Sequence, residues 1–246
     1  MLRSDRNGHP RRPGRPPFDS TETREALMDA AEELFSTYGV EGVSIRSIEA
    51  AAGLAPAAVH YHFRSKDRLL KAVVLRRGKA VAHRAGELLD TLAAGGPPPA
   101  TQEVVKALAT PYLELLQRDP VGGLRWARLM ARLVLAQDPR LRRLNAGPDG
   151  LEQRFWRFVR RAFPGVPEQL LETAWSISFN ILMLMLGKSD TWAVSPGAHS
   201  KGQISKTAVD TLVDFVASGF AVVMAAKNGS PPRSRGRAAK ARAGRR

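Results

Sequence analysis

The 246-residue sequence predicts an all-α protein with a small helix-turn-helix unit near its N-terminus. Two observations carry that fold class: apolar residues recur at helical spacing through most of the chain, and strand-like alternation is nowhere sustained. A third, the Gly and Pro punctuation between periodic stretches, divides the chain into about nine helices.

Residues 1–18 include RNGHPRRPGRPP, which cannot bury a core and reads as a disordered basic arm. Asp19 with Glu22, or Ser20 beside it, caps the first helix. Leu27, Ala30, Ala31, Leu34 and Phe35 give that helix one apolar face, and Gly39 and Gly42 end it. Ser44 to Ala51 forms a short helix and Gly53 a turn. Pro56 then occupies the first position of a second short helix, where its missing N–H costs nothing. This is the layout of a helix-turn-helix, whose second helix enters the DNA major groove. Ser65 caps a long helix towards Thr91, with Asp67 in its first turn.

Ala93 to Ala100 (AAGGPPPA) is the clearest break and reads as a domain boundary or linking turn. Helices follow at about 101–117, bent near Pro111, then 122–136, 149–163, 167–187 and 204–226. Asp119-Pro120, Gly147-Pro148 and Pro164-Gly165 fall in the loops between them. The expected units are the arm at 1–18, a DNA-binding domain at 19–70, an effector-binding and dimerisation domain at 71–226 and a disordered basic tail at 227–246.

The formal net charge of +15 suggests a polyanionic partner, yet 12 of those charges lie in residues 1–18 and 227–246. The tails therefore add sequence-blind, salt-sensitive attraction to phosphate and say little about the fold. No cysteine is present, which excludes disulfides and thiolate metal sites and fits a reducing cytoplasm. The N-terminal stretch has no apolar core of a signal peptide. The apolar segment Leu182 to Gly187, with Trp175, Ile177, Phe179 and Ile181 upstream, is too short, and too interrupted by Glu172 and Asn180, for a membrane span. A helix apolar on all sides must be covered on all sides, and the stripe Leu212, Val213, Val216, Phe220, Val223 and Met224 adds a second such helix. Two such helices are more than one small bundle readily hides, so a homodimer through the helices at about 167–187 and 204–226 is expected, with an ordinary intrachain core as the alternative.

Asp19 to Leu70 resembles the N-terminal domain of the tetracycline-repressor (TetR) family. The resemblance rests on Ala30-Ala31 with Leu34-Phe35, Gly39, Ser44 to Ile48, Ala52-Gly53, and Tyr61-His62-Phe63 followed by Ser65-Lys66. It implies an all-helical homodimer of about nine helices per chain. It also implies dimerisation through the last two long helices and a ligand pocket in the C-terminal domain. On the matching positions, Ser44 holds a phosphate at a helix start and Lys66 is the phosphate-binding lysine. Arg46 grips phosphate or a guanine edge.

Ala57 and Ala58 depart from the polar residues or Gly that many family members place there, and limit readout to packing on thymine methyls. His60 stands where the family usually has Tyr, and Tyr61 projects towards DNA. His62, Phe63, Val59, Ile45, Ile48 and Leu54 read as core.

Trp126, Met130, Phe155, Trp156, Phe179 and Met183 are the residues expected to line an effector pocket, as large soft and aromatic side chains do. Arg125, Arg128 and Arg132 share one side of a helix and form either a solvated face or a contact for an anionic ligand. No phosphate loop, H-E-x-x-H or G-x-S-x-G motif occurs, so no enzyme, cofactor or metal is expected. The expected function is a transcriptional regulator, most simply a repressor that binds double-stranded operator DNA and is released by a small-molecule effector. A basic, largely non-specific architectural DNA-binding protein is the alternative.

Overall fold

A computed structural model describes residues 21–96, 99–145, 151–192 and 205–227. The expectations for the basic arm, the Asp19/Ser20 cap, the Gly147-Pro148 turn, His199 and the tail beyond Lys227 lie outside these residues. The described residues form eleven helices and no strand. They are α1 (Thr21–Tyr38), α2 (Ile45–Ala51), α3 (Ala58–Phe63), α4 (Lys66–Ala94), α5 (Thr101–Arg118), α6 (Pro120–Leu135), α7 (Pro139–Asn145), α8 (Leu151–Ala162), α9 (Glu168–Gly187), α10 (Ser189–Trp192) and α11 (Lys206–Lys227).

Nine of these correspond to the helices read from periodicity, and α7 and α10 are additional. Helices of seven and four residues are too short to show a period. Near α6 the structure also corrects the reading. Pro120 is its first residue, and Asp119 is its cap, accepting from the Gly122 N–H at 2.9 Å. Pro111 lies buried inside α5, which continues as one helix.

The core has two parts. The larger joins α1, α2, α3 and the first half of α4 to α6, α9 and α11 through Leu27, Phe35, Ile48, Val59, Leu69, Val73, Trp126, Leu129 and Leu186. The smaller gathers Leu89, Leu108, Phe155, Val159, Leu171 and Phe220 under α8. Because α4 contributes to both, it runs unbroken past residue 70 and links the two regions.

Helix α6 packs closely on α9. A Cβ at Gly187 would lie 3.2 Å from the Ala131 Cβ and 3.4 Å from the Ala127 carbonyl, so a larger residue there forces the helices apart. The helix Glu168–Gly187 is longer than the apolar stretch read from the sequence, and it and Lys206–Met224 are each long and apolar enough to cross a membrane by length and composition. In this fold one face of each is packed inside, and the other carries Ile177, Leu184, Phe215, Val222 and Val223 to the surface.

Candidate nucleic-acid interface

The helix-turn-helix is built from short helices that need outside support, since an isolated helix of six or seven residues does not hold together in water. At the start of α2, Ser44 accepts from the Ser47 N–H at 3.0 Å, and the Ser47 hydroxyl answers at the Ser44 N–H, a reciprocal capping box. The turn passes through Gly53 at φ +66, a left-handed conformation that a side chain would strain.

The start of α3 differs from expectation. Ala57 adopts φ 76 and is itself the helix cap, so Pro56 sits in the turn before α3 rather than at its first position. The helix starts two residues later than read, at Ala58, which is turned inward. It is fully buried, and its methyl packs in the core instead of meeting DNA.

An alanine cap has no side-chain acceptor for the first N–H groups of α3. The acceptor comes from α2. Glu49, 4% exposed, takes the Val59 N–H on its Oε1 at 3.0 Å. One carboxylate thereby caps α3 across the turn and fixes the angle between the two motif helices. Sequence reasoning did not single out Glu49. A lone acid on the otherwise apolar inner side of α2 is the signal that could have found it.

The outward face carries Ser44, Arg46, Ala57, His60 and Tyr61, all exposed. Ile45, expected in the core, is 36% exposed on this face because only Ile48 and Glu49 of α2 are turned inside. The other expected core residues behave as predicted in part. Val59 and Phe63 are buried, while Leu54 and His62 are half-buried. Tyr61 meets His62 edge to face with ring centroids 5.0 Å apart. Arg64, also missed, follows α3 in the left-handed region at φ 68 and adds another exposed cation after that helix.

Lys66 is half-buried, and its ammonium group is turned towards the loop between α1 and α2. The Nζ donates to the Val40 and Val43 carbonyls at 2.9 and 3.0 Å. Two of its three donors are therefore spent on holding that loop, which leaves one for a phosphate.

The motif is joined to the rest of the chain by charge. Arg76 and Arg77 of α4 both bind the buried Glu32 of α1, Arg77 at 3.1 Å. Arg77 also reaches Asp119, the cap of α6, at 2.5 Å. Burial pushes the Asp119 carboxyl up, but Arg77 and the Gly122 N–H outweigh it and hold the group below its ordinary range. At the other end of α6, Arg132 donates to the Ser36 and Thr37 carbonyls at the end of α1, at 3.0 and 2.8 Å. Beyond α6, Arg140 binds Glu41, Asp67 and Asp138. Its guanidinium holds the Asp138 carboxyl below the usual carboxylate range.

The arginines on α6 are half-buried or exposed, and each has a partner. Arg125 pairs with Glu33 at 3.0 Å, Arg128 with Asp190 at 2.5 Å, and Arg132 caps α1. All three bind the protein itself.

The six residues expected around an effector divide between the two core regions. Trp126, Met130 and Met183 are buried in the larger one, with the Trp126 indole N–H donated to the Val74 carbonyl at 3.1 Å. Phe155 and Trp156 belong to the smaller one. Phe179 packs on the larger while stacking on Trp175, which in turn lies 4.0 Å from Phe155 between centroids.

Comparison with known proteins agrees with this geometry. Residues 27–73 match the family model for bacterial regulatory proteins of the tetR family, and residues 106–219 match a tetracyclin repressor-like C-terminal domain. The HTH-type transcriptional repressor Rv1474c of Mycobacterium tuberculosis is 35% identical over 129 residues, covering 49% of this chain and 65% of that protein. The regulator UidR of Escherichia coli is 33% identical over 54 residues, covering 22% of this chain and 28% of its own. The chain thus spans less than two thirds of these relatives.

Among solved structures, AmtR of Mycobacterium smegmatis shares the fold with a TM-score of 0.51 and 21% identity, over 91% of this chain and all of that one. SmeT, the repressor of the Stenotrophomonas maltophilia efflux pump SmeDEF, does so with a TM-score of 0.50 and 18% identity, over 82% and 90%. With a matching reading head, a matching C-terminal model and the fold in common, the chain belongs to the tetR family of bacterial regulatory proteins.

Proposed function

We propose that this protein is a cytoplasmic transcriptional repressor that binds an inverted-repeat operator as a homodimer and releases it on binding a small-molecule effector. The observation that carries the reading is the braced outward face of α2 and α3. In this reading the exposed Ser44 positions a phosphate, Lys66 at the start of α4 offers its remaining donor to another, and the exposed Arg46, Ala57, His60 and Tyr61 face the bases. Pairing two such heads across a two-fold axis gives half-sites about 34–36 Å apart, or a multiple of that.

Dimer formation is supported by the uncovered apolar faces of α9 and α11, with Ile177, Leu184, Phe215, Val222 and Val223 exposed. Such a patch on a soluble chain marks an interface. These faces belong to the last two long helices, as the family resemblance implies. For the effector, the aromatic group of Phe155, Trp156, Trp175 and Phe179 is the better candidate. Trp126 is already committed to Val74 and closed in by Tyr112. Residues 19–70 act as the reading head and 71–226 as the effector and dimer region, with α4 common to both.

Selection of bound sequences from a random duplex pool, at about 150 mM salt where sequence-blind attraction is weakened, tests this reading. An inverted repeat is the expected result. Recovery of no motif, with binding that disappears as salt rises, would establish the architectural alternative. Two features favour that alternative: neither Ala57 nor Ala58 can donate to a base, and Ala58 is buried.

A further inference from the structure

The short helix α7 lies outside the helix-turn-helix, yet it is fastened to it. Its sequence, PRLRRLN, turns Leu141 inward and leaves Arg142 and Arg143 exposed. Arg140 is the fastening. It reaches Glu41 in the α1–α2 loop at 2.7 Å, Asp67 in the first turn of α4 at 3.3 Å, and Asp138 before its own helix at 2.6 Å. Two of those three carboxylates belong to the reading head, so Arg140 ties α7 to it.

The consequence is a charge imbalance beside α4. Asp67, Leu70, Lys71 and Val74 of α4 line one hollow together with Leu133, Arg140, Leu141, Arg143 and Leu144. Arg68 and Lys71 are exposed on the same part of α4. The nearby carboxylates Glu41, Asp67 and Asp138 are all taken by Arg140. Among the described residues Arg68, Lys71, Arg142 and Arg143 have no ion-pair partner.

We propose that Arg68, Lys71, Arg142 and Arg143 form a second phosphate-binding surface, which takes the backbone of duplex DNA flanking the half-site that α3 reads. The proposal rests on the reading of α2 and α3 as the operator contact. It adds sequence-blind affinity outside the recognised bases. Arginine suits the role because its charge is permanent and its donors match phosphate oxygens. Each phosphate neutralised steepens the dependence of log affinity on log salt by about 0.9.

The test compares wild type with the double variant Arg142→Gln/Arg143→Gln on the selected inverted repeat, in a long duplex and in one trimmed to the two half-sites. On the long duplex the variant's salt slope should be shallower by up to about 1.8. Wild type should then lose about tenfold more affinity than the variant between about 50 and 200 mM salt. On the trimmed duplex the two proteins should agree. Equal slopes on the long duplex overturn the surface while leaving the operator reading intact. A difference that persists unchanged on the trimmed duplex overturns its placement on flanking DNA. Failure of wild type to prefer any sequence removes the operator reading, and this proposal with it. Arg140→Ala, which frees α7 but keeps Arg142 and Arg143, should reproduce most of the loss. Thermal unfolding of each variant separates a lost contact from a lost fold.

Discussion

Replacing Glu49 by alanine should loosen the recognition helix from within, without touching a DNA-facing side chain. The Val59 N–H is 3.0 Å from Glu49 Oε1 and lies at a fully buried residue, so water cannot substitute for the lost acceptor. A lost N-cap costs about 1 kcal/mol, and a buried donor left unpaired costs about 1–3 kcal/mol. Both figures describe the same N–H, so they do not add, and about 2 kcal/mol is the working value. With α3 only six residues long, that is a large share of what holds it. Two kcal/mol is roughly a thirtyfold change in the local equilibrium and about 4–8 °C in melting temperature for a chain of this size. Amide exchange at Val59, with a thermal scan, reads both quantities, and operator affinity should fall as α3 frays. Glu49→Gln keeps an acceptor and should recover more than half of the loss. If Glu49→Ala exchanges at Val59 like wild type and melts within a degree of it, the carboxylate is not the cap and the reasoning is refuted.

Lys66→Met keeps the stem but removes the donors to Val40 and Val43, and should cost about 1–2 kcal/mol in a thermal or denaturant melt. Its operator salt slope should change by less than the 0.9 expected of a dedicated phosphate contact; a full unit would show that the ammonium turns outward on DNA. Phe215→Glu, at a side chain 69% exposed on α11, should cost the dimer about 2–3 kcal/mol. Sedimentation should then show monomer at concentrations where wild type is dimeric, and an unchanged distribution would exclude this face. Asp138 is held below its ordinary range by Arg140, so its contribution is complete above the unfolded-state value near 4. That contribution is lost as pH falls through the lowered folded value. Melting temperatures taken between about pH 6 and pH 3 should therefore drop more steeply for wild type than for Asp138→Asn.

Long, strongly periodic segments were legible in the sequence, and so was the motif. Ser44, Gly53 and Ser65 announce boundaries through local chemistry that needs no partner from elsewhere in the chain. What stayed hidden depends on contacts between distant residues. Ala58 stands two residues after Pro56 and reads as a surface position, but the left-handed turn at Ala57 moves the helix start and sends its methyl inside. Lys66 looks like a free cation until the α1–α2 loop folds back to present two carbonyls to it. Arg125, Arg128 and Arg132 share a helix side, and each finds a different partner on α1, on α9 or in α10. Helical spacing records which residues share a side of one helix and carries no record of what another helix places opposite.

Those partners determine how a signal could cross the molecule. Helix α6 touches the reading head at both ends by polar contacts and along its length by apolar ones. At its start, Asp119 is tied through Arg77 to Glu32, and at its end Arg132 grips the carbonyls that terminate α1. Between them Trp126, Leu129 and Leu133 belong to the same core as Leu27 and Phe35. Packed cores resist gradual deformation, and the polar joints hold geometry only over a few tenths of an ångström. A displacement of α6 therefore either breaks the joints or carries α1 with it. Breaking them parts Asp119 from Arg77 and takes Arg132 off the Ser36 and Thr37 carbonyls, whereas carrying α1 along keeps all of these contacts. An effector that repositions α6 or α9 thus has a mechanical route to the angle of α3, and needs only the 1–3 kcal/mol of coupling ordinarily seen between linked sites.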